Sequence, residues 1–252
     1  MSTLMNPLHR SFASVGHVAT FLLDAARALR DVRTWPAQTM HQMRKIGADS
    51  VPIALFIAAF TGIVLALQAS YTFTGAVPLY FVGTLVAKTI MLELGPVLTG
   101  LALAGRVGAN IAAELGTMRV TDQVDALETL AYDPQSYLVV PRVLAATVMF
   151  PFVVALAIGV GLFSGYVTAV NLLDLSTVEF VRGVRMFYQF KDIWFGLLKA
   201  MSFGFAIAVI GCMFGLGVRR GAAEVGTATM RAVVRSSQAI LVLDALWAVL
   251  LL

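Results

Sequence analysis

ELGPVLTGLALAGRVGANIAAELGTMRVTDQVDALETL, running from Glu93 to Leu130, changes character part-way along, and the rest of the chain is read from that change. It opens as an apolar helix that carries one carboxylate, Glu93, with a kink expected at Gly95-Pro96, and it leaves the apolar phase near Arg106. From Glu114 to Asp133 the charges are Glu114, Arg119, Asp122, Asp125, Glu128 and Asp133, while Val120, Val124, Leu127 and Ala131 recur at helical spacing. That pattern predicts a short amphipathic helix outside the bilayer, with Thr121 capping its start and Asp122 in a first turn where the dipole favours negative charge. Pro134 forces the residue before it out of helix. The apolar stripe of this helix calls for a protein partner.

Composition places the whole chain in a membrane. A hydrophobic fraction of 59%, a charged fraction of 13% and a mean hydropathy of +0.86 are too apolar for a water-soluble domain of 252 residues. The formal net charge of +4 comes without a dense basic run or interleaved aromatics, which argues against nucleic acid and for membrane orientation. Cys212, the single cysteine, lies in an apolar run and allows no intrachain disulfide. His9, His17 and His41 are too far apart for a metal-ligand motif. No Gly-x-x-x-x-Gly-Lys-Ser/Thr loop occurs, so any ATP would have to be handled by a partner.

Polar residues His17, Thr20, Asp24, Arg27 and Asp31 fall on one narrow face of a helix over 12–35, with Val15, Val18, Phe21, Leu22, Ala25, Leu29 and Val32 around the rest. This suits a helix lying in the membrane interface or one packed on the protein. Asp24 and Arg27 interrupt what would be a signal-peptide core. Five apolar spans are expected: 51–70, 79 to about 113, 138–170, 193–218, and 239–252, the last being short unless it starts near Ala232. Between them the sequence reads as an aromatic turn (Tyr71, Phe73, Tyr80 and Phe81 around Gly75 and Pro78), a long loop over 171–192, and a loop over 221–238 with Arg231 and Arg235. Phe187, Tyr188, Phe190, Trp194 and Phe195 make a second aromatic belt. Gly161 with Gly165, and Gly211 with Gly215, offer small-residue contact surfaces. An odd number of spans and no internal repeat argue against inverted halves.

Lysine and arginine bias orients the chain. One side would hold Arg10, Arg27, Arg30, Arg33, Arg44, Lys45, Arg106, Arg119, Arg142, Arg219, Arg220, Arg231 and Arg235, against Arg182, Arg185 and Lys191 on the other. The N-terminus and the amphipathic helix would then be cytoplasmic and the C-terminus outside. The second span also carries Lys88 and Arg106, but Glu93, Lys199 and Asp244 matter most, since each ionised group near the bilayer centre costs about 2.5–3.5 kcal/mol. They read as a polar lining that meets lipid head groups, Lys199 pairing with phosphate, or as a structural ion pair between Glu93 and Lys199. Lys199 could also snorkel to the belt. Asp244 reads as a structural hydrogen-bonding partner.

ELGPVL at 93–98, AGRVGANIAAELGTMRV at 104–120 and QVDALETL at 123–130 resemble the MlaE (YrbE) permeases, membrane subunits of ABC lipid transporters. The resemblance implies an all-α integral membrane protein: an N-terminal interfacial region over 1–50, then a permease domain over 51–252 with five transmembrane helices and a short cytoplasmic coupling helix at about 114–131. It implies that Glu93 and Lys199 lie near the lipid cavity and that Glu114, Met118, Arg119, Asp125, Ala126 and Leu127 couple to the ATPase. It further implies a homodimer, a cytoplasmic ABC ATPase (MlaF-like) that binds ATP and Mg, a periplasmic MCE subunit (MlaD-like) and a cytoplasmic STAS-domain subunit (MlaB-like). No cofactor is expected in this chain. The substrate would be phospholipid, the membrane a Gram-negative inner membrane, and the role maintenance of outer-membrane lipid asymmetry. Two other readings stay open from the residues alone. One is a proton-coupled carrier that uses Glu93, Lys199 and Asp244; the other is a membrane hydrolase, against which stands the lack of Gly-x-Ser-x-Gly and His-Glu-x-x-His.

Overall fold

The computed structural model describes residues 16–251 apart from 17, 33, 74–77, 174 and 220. The expectations for His9, Arg10, Val15, His17, Arg33, Gly75 and Arg220 fall outside those residues. Among the described residues the chain is helical, without strands, and five helical runs are long and apolar enough to cross a membrane.

The N-terminal helix α1, described over 18–28, ends at Ala28 and so short of the expected 35, and α2 (Trp35–Ile46) restarts with Pro36 in its first turn, where its missing N–H costs nothing. Phe21 and Ala25 of α1 pack on the core, while Val18 and Leu23 stay exposed, so this helix rests on the protein and presents an apolar outer side as well. A 3₁₀ turn at Ala48–Ser50 leads into α3 (Val51–Thr72), the first crossing. Its 22 residues span roughly 33 Å at 1.5 Å per residue, enough for the hydrocarbon core.

The second crossing is one unbroken helical run of 41 residues, Tyr80–Val120. It consists of α4 (Tyr80–Thr89), a π-turn at Ile90–Leu94, α5 (Gly95–Leu103), a second π-turn at Ala104–Gly108, and α6 (Ala109–Val120). Its excess length therefore runs on through α6, which leads to the next break. That break corrects the helix expected from Glu114 onward. Asp122 takes φ 58, a left-handed conformation that ends α6, and α7 (Gln123–Thr129) begins after it. Thr121 does not cap α7; its hydroxyl bonds back to the Thr117 carbonyl at 2.9 Å, and Asp122 occupies the N-cap position.

A third π-turn at Gln135–Val139 opens into α8 (Val140–Leu172), followed by α9 (Thr177–Met186), α10 (Phe190–Leu216) and α11 (Gly221–Leu251). Two expected loops are thus helices. Ser176 and Glu179 form a capping box that starts α9, and α11 runs unbroken through 221–238, so the fifth crossing is full length.

Packing between α3 and α8 is close because both sides are small at the contact. A Cβ on Gly62 would overlap the Gly161 carbonyl, and Ser164 Oγ donates to the Ala59 carbonyl at 2.8 Å. Gly211 and Gly215 of α10 similarly face Ile111 and Leu115 of α6. Two buried clusters result. One contains Ile46, Leu115, Val124, Leu138, Phe150 and Phe203, and the other Val86, Ile90, Val154, Phe180 and Ala200. On α10 the two meet between Ala200 and Phe203, beside Lys199. The aromatic belts converge at one end, with the Phe81 and Phe187 rings 6.1 Å apart. Phe56, Phe60, Phe152 and Phe163 all point outward, as lipid-facing residues do.

Candidate functional site

The intramembrane site begins with a missing hydrogen bond. Pro96 has no N–H to give the Leu92 carbonyl four residues back, and the helix widens there into the first π-turn, with the Gly95 N–H donating to the Ile90 carbonyl. Helix α10 fills the gap. Gly196 passes so close to the Met91 carbonyl that a Cβ would overlap it, and one turn later Lys199 Nζ donates to the Leu92 carbonyl at 3.2 Å.

Lys199 then gathers the other two charges. Its ammonium lies 2.9 Å from Glu93 Oε2 and 2.7 Å from Asp244 Oδ1, the second contact being an ion pair outside hydrogen-bond geometry. The Phe195 ring is 5.9 Å away. Trp247 Nε1 donates to Ser202 Oγ at 3.0 Å, and Ser202 Oγ donates to the Lys199 carbonyl, which ties α11 to α10 beside Asp244. Side-chain exposure separates the three: Glu93 42%, Asp244 22%, Lys199 0%. Lys199 does not snorkel. A molecule outside meets the Glu93 carboxylate first, and the ammonium is reached only behind it.

A second charged cluster lies at the other end of the same helical run. Glu114 of α6 accepts from Lys45 of α2 at 2.8 Å and is ion-paired with Arg142 of α8 at 3.2 Å. Arg142 is buried and also donates to the Leu138 carbonyl at 2.7 Å. Glu114 therefore faces the bundle. Arg119 bridges the left-handed break to Asp125 at 2.6 Å. Val124 is buried, and Met118 and Leu127 pack against the same core. Of the residues expected to meet an ATPase, Asp125 and Ala126 are exposed, beside Glu128. Val124 and Leu127 of the apolar stripe are filled by the chain's own bundle, while Leu130 and Tyr132 stay outward.

Sequence reasoning passed over two contacts. Lys88 pairs with Asp192 across the aromatic end, and Arg106 bonds Ser50 Oγ at the opposite end. The first pair is 104 residues apart in the chain and the second 56, so no local spacing signals either.

Residues 39–250, from α2 to the last turn of α11, match the sequence profile of a family described as Permease MlaE. The chain belongs to the MlaE permease family. This MlaE-family protein is 40% identical to a probable ABC transporter permease of Rickettsia typhi, over 91% of this chain and 88% of that one. It is 42% identical to a probable ABC transporter permease of a Synechocystis strain, over 81% and 78% of the two chains. With the intermembrane phospholipid transport system permease protein MlaE of Haemophilus influenzae it shares 30% identity over 92% and 90%. The MlaE-family chain is accordingly an ABC transporter permease, and its five apolar helical runs make it a membrane protein.

Proposed function

We propose that this permease is the membrane subunit of a multisubunit ABC transporter that moves phospholipid between the inner membrane and a periplasmic MCE-type subunit, and so maintains outer-membrane lipid asymmetry. One observation carries the mechanism. The unbroken run Tyr80–Val120 bears Glu93 in its first π-turn, and the Arg119 to Asp125 bridge fastens α7 to its far end. Closure of a partner ATPase against α7 would move that run as a lever, with the two π-turns as the places where it bends. Drawing Glu93 away from Lys199 would open the ammonium to a lipid phosphate; returning it would expel the lipid. Nucleotide shifts this equilibrium only as far as its affinity differs between the two states.

In this reading the permease works as a homodimer, the ATPase binds ATP and Mg, and a STAS-domain subunit regulates from the cytoplasm. The name of the Haemophilus relative supports phospholipid as the substrate class. Arg27, Arg30, Arg44, Lys45, Arg119 and Arg219 support a cytoplasmic N-terminus and α7, which puts the C-terminus in the periplasm. A second reading has one observation behind it: Glu93, Lys199 and Asp244 are in contact within the spans, as a proton relay requires.

The test is affinity purification of the tagged permease in mild detergent, with ATPase activity and bound lipid assayed against Asp125→Lys with Ala126→Glu. Both side chains are exposed, and the bridge they break is a surface pair worth about 0–1 kcal/mol, so the variant keeps its fold. The wild type brings down an ATPase and phospholipid, and the variant loses the ATPase but keeps its thermal stability. A wild type that purifies alone, without ATPase activity, would refute the proposal.

A further inference from the structure

A cavity of about 300 Å³ lies between α2, the turn into α3 and the second π-turn, remote from the Glu93 site. One wall is Gln42, Lys45, Ile46 and Asp49; the other is Arg106, Val107, Asn110 and Ile111. Gln42 with Lys45, and Arg106 with Asn110, stand three and four residues apart, so each wall offers two hydrogen-bond donors above an apolar floor. Ala104–Gly108 is a π-turn, and the wider turn carries Arg106 over to Ser50 Oγ at the residue just before the first span.

Gln42 is the decisive residue. It is only 6% exposed and lines this cavity, yet among the described residues its amide has no hydrogen-bond partner. The residue is buried but its amide is not sealed off, so the amide opens onto the cavity and is free to donate to a ligand that supplies acceptors. The remaining donors are not exhausted either. Lys45 gives one of its three to Glu114, and Arg106 gives one of its five to Ser50, with Asp49 at 3.9 Å, beyond hydrogen-bond distance. Counting every charge within the cluster, Lys45, Arg106 and Arg142 outnumber Asp49 and Glu114 by one, which leaves the cavity cationic.

We propose that this cavity binds a phosphate group, with Gln42, Lys45, Arg106 and Asn110 as its donors, at the head-group level of the leaflet on the α7 side. The apolar floor of Ile46, Val107 and Ile111 suits a phosphate that carries a glycerol and acyl chains, and the same donors also suit free phosphate. Because Lys45 joins this cavity to Glu114 of α6, an occupied site also braces α2 against the lever. The site is separate from the transport path proposed above and does not depend on which substrate is moved.

The full-length permease in nanodiscs is labelled with a phospholipid that carries a photoreactive group on its head group, and the modified peptides are mapped by mass spectrometry. Wild type, Gln42→Leu and Arg106→Gln are compared, the first variant keeping every ion pair in the cluster. Label falls on the peptides around Gln42 and Asn110 and drops at least tenfold in each variant, while the Gln42→Leu melting temperature stays within a few degrees of wild type. Millimolar inorganic phosphate added during labelling separates the sources: competition assigns the site to free phosphate, and persistence assigns it to the lipid head group. Label absent from these peptides in the wild type, or undiminished by both substitutions, overturns the proposal.

Discussion

Lys199 has no exposed surface and two carboxylates within 3 Å, so its neighbours decide whether the charge is tolerable. With Glu93 and Asp244 both ionised the trio carries one net negative charge, and losing either carboxylate leaves a neutral pair. Losing both leaves a buried ammonium with no carboxylate partner, touched only by neutral groups such as the Leu92 carbonyl and the Phe195 ring. Glu93→Gln and Asp244→Asn should therefore each cost about 1 kcal/mol, while the double substitution costs about 3–5 kcal/mol. Thermal unfolding in detergent measures this as a double-mutant cycle, and simple additivity would contradict it. The three residues were legible in the sequence as charges stranded in apolar runs. Their contact was not, because Glu93 and Lys199 are 106 residues apart. The partners of Glu114 were not legible for the same reason, since Lys45 and Arg142 reach it from distant segments.

At the scale of the element, Pro96 shapes the site. It was legible as a kink, and the structure turns that kink into a π-turn whose unfilled carbonyl is taken by Lys199. Pro96→Ala restores a donor for Leu92, which favours rewinding the π-turn into α-helix. One residue fewer in the turn rotates the preceding segment by roughly 100° and carries Glu93 off Lys199. Lipid transport should fall at least tenfold while helical content by circular dichroism is retained; transport at the wild-type rate would contradict this. Helix α11 shows how an element was missed. Its polar residues Arg231, Arg235 and Gln238 suggested a loop, yet Ala228, Ala232, Ser236 and Ile240 recur every four residues and form its buried stripe. Helix α9 had its signal in Ser176 and Glu179, a capping box hidden among polar residues.

For the whole molecule, the apolar spans, their number and the aromatic ends followed from composition and periodicity, since bilayer thickness sets span length. What periodicity could not show is that α7 is held by its own bundle through Val124 and Leu127 and clasped to α6 by Arg119 and Asp125. In the proposed mechanism that attachment is what would link α7 to the Glu93 site as one mechanical unit, with ATP acting at one end and lipid at the other. The most direct test reconstitutes the purified complex in liposomes and follows a fluorescent phospholipid, with ATP supplied or withheld and with a proton gradient imposed or collapsed by an uncoupler. Movement that requires ATP and continues after the uncoupler is the predicted result; movement that follows the proton gradient and ignores ATP would contradict it.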